Sequence, residues 1–301
     1  MRLSYLLFLL LLVGLTACSS TATDSDAGAT VTDSLSTSDA PPPAPEGPEF
    51  PGATYQEEPI LGEHLAAEQL LGTILLYEPA TNTYRSNDFE WARKGFLPAS
   101  TFKIPHTIIG LESGYLEDRH TLFPYAGEPR TRRVLEKEMD LLEAYRLSCL
   151  DCYQWLARQE GPELLLEWVE KLSYGAMDVN EDSYDSFWVV GESRITAFEQ
   201  IAFLKALRDR DFDLKEHTWN EMRAIMVHSE TEAYVIRAKT GWSIVDETEH
   251  NAWWVGYIER TVGEVIYFAT NVEPGPELDP NKLGGARVRV TEAALQALGV
   301  I

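Results

Sequence analysis

The sequence predicts an α+β domain in which one antiparallel sheet is assembled from both ends of the chain, flanked by helices, with a helical lobe inserted between the two sets of strands. Three observations carry this reading. Residues 72–77 form a strand-like run, and residues 78–82, which include Pro79 and Asn82, supply the turn that follows it. The middle is helical: Pro162 suits a first turn, and Leu164, Leu165, Trp168, Val169 and Leu172 fall on one 3.6-period face. Near the other end, residues 233–239, 252–259 and 265–271 are three strand-like runs. Gly263 lies in the short link between the last two, the mark of a hairpin, and residues 290–298 close the chain as a helix. Strands at both ends around a helical middle imply a sheet fed by both termini.

The 301 residues are 45% hydrophobic, enough for a buried core, and three Cys are too few for a disulfide scaffold. With 25 Lys+Arg against 48 Asp+Glu the formal charge is −23, a surface that repels phosphate and argues against a nucleic-acid partner. Such acidity fits solubility or a saline medium, and charge alone does not choose between them.

The first residues read as an address. After Met1 and Arg2, residues 3–13 are an apolar run of signal-peptide length, too short to span a bilayer. Leu15-Thr16-Ala17-Cys18 resembles a bacterial lipobox, which implies cleavage after residue 17 and lipidation of Cys18. The expected destination is the cell envelope, lipid-anchored on the periplasmic face. Ser19, where an Asp would retain the protein at the inner membrane, resembles an outer-membrane signal. Residues 18–59 are rich in Ser, Thr, Asp and Pro and nearly free of large apolar side chains, so they read as a disordered tether. Its reach is on the order of 35 Å. Residues 60–301 are then the catalytic domain.

Chemistry concentrates in two short runs. In Pro98-Ala99-Ser100-Thr101-Phe102-Lys103, a Ser at a helix start lies near unpaired backbone N–H groups that can stabilise an oxyanion. Lys103, three residues on, shares its helical face, and a desolvated Lys with a depressed pKa could take the hydroxyl proton. Ala238-Lys239-Thr240-Gly241-Trp242 ends a predicted strand, offering a cation, a hydroxyl and a Gly that lets a ligand approach the edge. S-x-x-K alone is weak, but S-x-x-K followed by K-T-G is the signature of β-lactamases and penicillin-binding proteins.

From about Gly72 onward the chain resembles the class D, or oxacillinase-type, serine β-lactamases. The resemblance rests on FLPASTFKIP, YRLSCLDCYQWLAR, SYGAMD, DSFWVVGESRITAFEQ, AKTGW and NAWWVGYIE. Class A is a poorer match, with no S-D-N and no E-x-x-L-N-like segment. The resemblance implies the serine β-lactamase/penicillin-binding-protein-like fold and a β-lactam as the small-molecule partner. It implies Ser100 as the acylated nucleophile and Lys103 as an N6-carboxylysine, formed with CO₂ or bicarbonate, acting as general base; no other cofactor and no metal is implied. Trp188 would donate its indole N–H to the carbamate, and Ser148 would relay a proton to the lactam nitrogen. Lys239 and Thr240 would hold the substrate carboxylate and Arg287 would pair with it. Gly241, Trp242 and Leu150 would also line the substrate site, and the backbone N–H groups of Ser100 and Trp242 would form an oxyanion hole.

Two positions depart from the family pattern. Tyr174-Gly175-Ala176 lacks the amide of Tyr-Gly-Asn, and Ser148-Cys149-Leu150 replaces Ser-x-Val, placing the bulkier Leu150 near the lysine. Cys149 and Cys152 could close a disulfide at a first helical turn, but two buried free thiols are the favoured expectation. Zinc is not expected, since none of the six His lies near either Cys. Three function classes share these motifs: a β-lactam hydrolase, a transpeptidase and a sensor that stays acylated. The Trp188 context and the domain size favour the hydrolase. The sequence sets no oligomeric state, and a homodimer remains open.

Overall fold

The computed structural model describes residues 49–245 and 248–301. The signal-peptide and lipidation readings, Cys18 among them, fall outside the described residues. In chain order the elements are β1 (Thr54–Glu57), α1 (Pro59–Ala67), β2 (Leu70–Glu78), β3 (Thr83–Ser86) and α2 (Phe89–Ala92). A 3₁₀ turn (Ala99–Phe102) runs into α3 (Lys103–Ser113), followed by the short strands β4 (Leu122–Phe123) and β5 (Met139–Asp140). The lobe continues through α4 (Leu141–Arg146), α5 (Leu150–Glu160), α6 (Pro162–Lys171), α7 (Ala197–Asp209) and α8 (Glu216–Ile225). The chain then returns to the sheet as β6 (Val227–Glu230), β7 (Tyr234–Val245), β8 (Glu249–Arg260) and β9 (Val265–Pro274), and ends in α9 (Leu283–Ala297).

The main sheet has the order β1-β3-β2-β9-β8-β7-β6. β2 pairs antiparallel with β9, from Leu70 opposite Pro274 to Tyr77 opposite Tyr267, so both termini feed one sheet as expected. One correction applies: β1 joins β3 in parallel, making the sheet mixed. β1 also lies within residues 49–59, which composition assigns to the tether. Phe50 packs on Tyr77 and Tyr84 there, so the folded part begins about ten residues earlier than expected.

Both faces of the sheet are covered, which is why β8 reads as the nearly unbroken apolar run Ala252-Trp253-Trp254-Val255 rather than alternating with polar residues. Adjacent side chains on a strand point to opposite faces. Accordingly Trp253 enters the core under the helical lobe, and Trp254 the core under α1 and α9. On α6 the anticipated face is the buried one, with Leu165, Trp168 and Val169 inside and Leu164 partly so. α9 begins at Leu283, seven residues before the expected start, because Gly284 and Gly285 are poor helix formers and mask its first turn.

Candidate active site

Ser100 sits in the 3₁₀ turn before α3, partly exposed, on a backbone held from three directions. Ala99 takes the left-handed region at φ 50°, uncommon for a residue with a Cβ, and its N–H donates to Trp188 O at 2.7 Å. The Thr101 hydroxyl donates to Pro98 O at 2.6 Å and lies 3.0 Å from the Tyr174 hydroxyl. Gln200 on α7 donates from Nε2 to Thr101 Oγ1 at 2.9 Å. Tyr174 is therefore a buried strut beneath the turn. From β7, Gly241 closes the remaining side: a Cβ there would meet Pro98 O at 2.9 Å and Thr101 Cγ2 at 3.2 Å. Only glycine allows the strand this close.

Lys103 opens α3 and is almost wholly buried. Its Nζ lies 4.5 Å from the centroid of the Tyr153 ring and has no hydrogen-bond partner among the described residues. Burial, reinforced by the Arg132 cation, pushes its pKa down to about 7, so the amine is substantially neutral at moderate pH. Trp188 is fully buried. Its ring stacks on Phe102 and meets His106 edge-on, the residues just before Lys103 and one turn after it. The Trp188 indole N–H is likewise buried without a partner. A buried donor without an acceptor costs about 1–3 kcal/mol. Two such nitrogens, one on Lys103 and one on a ring packed against Phe102 and His106 beside it, therefore suit an added acceptor, as the carbamate of a carboxylated lysine would be.

Across the cleft, Ser148 links α4 to α5 at φ 52°, again left-handed. Its Oγ lies 2.5 Å from Lys239 Nζ, which also donates to Thr240 O at 2.9 Å. Burial and the nearby basic groups of Lys103, Arg287 and Arg132 hold the Lys239 amine well below the usual lysine range. The Ala238 N–H points outward to Met226 O at 2.8 Å, and strand alternation places those of Thr240 and Trp242 on the same edge. Cα pairing with β6 ends at Arg237, which leaves that edge open beside Ser100. Arg287, on α9 and buried, donates from Nη1 to Gly241 O at 2.8 Å, and burial pushes its pKa down to about 10. A cleft of about 550 Å³ lined by Tyr145, Arg146, His228, Lys239 and Thr240 continues along this edge.

The structure thus brings Ser100, Lys103, Ser148, Trp188, Lys239, Thr240, Gly241, Trp242 and Arg287 to one cleft or its immediate wall. Leu150, the first residue of α5, is partly buried against the core that holds Tyr153 and Trp188. Ala176 pairs by backbone with Arg194 at 2.9 and 2.7 Å, which needs no side chain. The free-thiol expectation is overturned: Cys149 and Cys152 form a disulfide, with Cα atoms 5.4 Å apart. Cys149 is the N-cap of α5, with ψ 105°, and this extended entry lets its sulfur reach Cys152, which a regular helix would prevent. Among the described residues no group of three or more His, Cys, Asp or Glu could hold a metal ion. Sequence reasoning missed Thr101, Gln200, Tyr153 and Arg132, because each acts through contacts distant in the chain.

The penicillin-binding-protein transpeptidase domain family matches residues 72–295. The β-lactamase OXA-10 of Pseudomonas aeruginosa is 34% identical over 214 residues, covering 70% of this chain and 79% of that protein. The chain belongs to the class D β-lactamases. The crystal structure of the class D β-lactamase YbXI from Nostoc superposes with a TM-score of 0.75 at 30% identity, covering 80% of this chain and 99% of that one. The C-terminal domain of the Bacillus licheniformis BlaR penicillin receptor superposes at 0.76, but at 22% identity it shares the fold alone. Class D membership accounts for a cleft built on a Ser and two buried lysines.

Proposed function

We propose that this class D enzyme hydrolyses β-lactam antibiotics through an acyl-enzyme on Ser100, with Lys103 carboxylated on its amine. The observation that carries the reading is a pair of buried nitrogens, Lys103 Nζ and Trp188 Nε1, that have no partner among the described residues and lie behind a partly exposed Ser100. Burial keeps the Lys103 amine neutral, the form to which CO₂ adds. The resulting carbamate supplies a general base, first for Ser100 and later for the hydrolytic water. Ser100 Oγ adds to the lactam carbonyl, whose developing oxyanion meets the backbone N–H groups of Ser100 and Trp242. Ser148 Oγ, held by Lys239, delivers a proton to the lactam nitrogen as the C–N bond breaks. The proton that the carbamate took from Ser100 replaces it, which returns the carbamate to its basic form for the water step. The Arg287 guanidinium, with the Thr240 hydroxyl and Lys239 as a hydrogen-bond donor, receives the substrate carboxylate. Intact-mass measurement after mixing with benzylpenicillin tests this: an adduct of one penicillin that forms and then clears is expected. A permanent adduct would instead indicate a sensor.

Cys18 is proposed as the lipid attachment site, with the protein held at the periplasmic face of the outer membrane by the segment that follows. The Leu-x-Ala-Cys pattern after an apolar run supports this. Cys18→Ser should move the protein from the membrane fraction to soluble or unprocessed form, read by fractionation and N-terminal mass. Wild-type protein without acyl mass on Cys18 would sink the assignment.

A further inference from the structure

Behind the Lys103 pocket lies a polar pair that the reaction does not use. His106, one turn after Lys103 on α3, has Nε2 2.7 Å from Glu160 Oε2, and both side chains are fully buried. Glu160 is the last residue of α5, so the contact ties α3 to the far end of that helix. Burial pushes the Glu160 carboxyl up, partly offset by His106. His106 Nδ1 and Glu160 Oε1 have no partner among the described residues. Two apolar side chains of similar volume often stabilise a buried site as well as such a pair or better, so the pair is weak evidence for a role in stability. Stability alone therefore does not account for the pair.

Its neighbours do. The His106 ring meets Trp188 edge-on at 5.3 Å and 63°, and meets Tyr153 at 5.3 Å and 61°. Tyr153 is the ring under Lys103 Nζ, and its hydroxyl bonds Thr107 Oγ1 at 2.7 Å; Thr107 in turn donates to Lys103 O at 2.7 Å. The same imidazole thus touches both the aromatic floor of the lysine and the indole whose N–H lacks an acceptor among the described residues. An aromatic edge contact alone leaves a ring free to tilt, whereas a hydrogen bond to a carboxylate fixes its plane. We propose that His106 and Glu160 are positioning residues: their hydrogen bond holds the imidazole between Trp188 and Tyr153, and so keeps the Lys103 pocket in the geometry that favours carboxylation. The proposal rests on the carbamate reading of Lys103.

Glu160→Leu and Glu160→Gln separate the two ideas. Leu removes the hydrogen-bond partner of His106 Nε2, whereas the Gln amide can serve it in either tautomer, accepting through its oxygen or donating through its N–H. Activity is measured against added bicarbonate at fixed pH in CO₂-depleted buffer, with Tm recorded for each protein. Glu160→Leu should raise the half-saturating bicarbonate about tenfold, the effect of losing one hydrogen bond to a charged group. Glu160→Gln should stay within about twofold of wild type, because the amide can make the hydrogen bond to His106 Nε2 whichever partner donates. If Glu160→Leu does not fold, His106→Leu/Glu160→Leu, which leaves neither partner unpaired, takes its place. A bicarbonate requirement in the Leu variant equal to wild type overturns the proposal, as does a Gln variant as impaired as Leu. Wild type indifferent to bicarbonate would instead remove the carbamate reading beneath it.

Discussion

Ser100→Ala should abolish both the covalent penicillin adduct and turnover while leaving Tm close to wild type. Ser100 is partly exposed, and the turn around it is held by Ala99, Thr101 and Gly241 rather than by its own hydroxyl. Deleting a methylene-bound oxygen there opens no cavity. Removing the nucleophile of a covalent mechanism costs about 10⁴-fold or more in rate, roughly 5 kcal/mol of transition-state stabilisation. Intact mass and initial rate read the two effects separately. An adduct formed by the variant at wild-type rate would move the nucleophile elsewhere.

Much of this site is legible in the amino-acid sequence because its chemistry is packed into short runs. Ser100 and Lys103 lie within one turn, and Lys239, Thr240 and Gly241 are consecutive on one strand. β8 and β9 are legible for a similar reason, since strands covered on both faces read as continuous apolar runs. What stays hidden depends on partners far along the chain. Thr101 is an ordinary hydroxyl until Tyr174 and Gln200 arrive from other elements. β1 is short, exposed at every residue and set in a polar segment; it exists because β3 offers it a parallel edge. The Cys149–Cys152 disulfide turns on the backbone angle at a helix entry, which residue spacing does not encode.

The second large effect concerns pH and CO₂. Desolvation lowers the Lys103 pKa to about 7, so the amine is neutral above that pH and an ammonium below it. Only the neutral form combines with CO₂. Carbamate formation from the ammonium releases two protons, one from the amine and one as CO₂ adds. At fixed dissolved CO₂, activity should therefore fall below roughly pH 7 by up to about a hundredfold per pH unit once the carbamate is the minor form, and added bicarbonate should restore it at a given pH. Trp188→Phe keeps the ring stacked on Phe102 but deletes the indole N–H. It should slow deacylation roughly 10- to 100-fold, the effect of one lost hydrogen bond to a buried anion, and raise the bicarbonate requirement. The most direct test is a ¹³C NMR spectrum of the purified protein equilibrated with ¹³C-bicarbonate at pH 8. A carbamate resonance is expected that is absent in Lys103→Ala and disappears on acidification. A fully active wild-type enzyme with no such resonance would contradict the account.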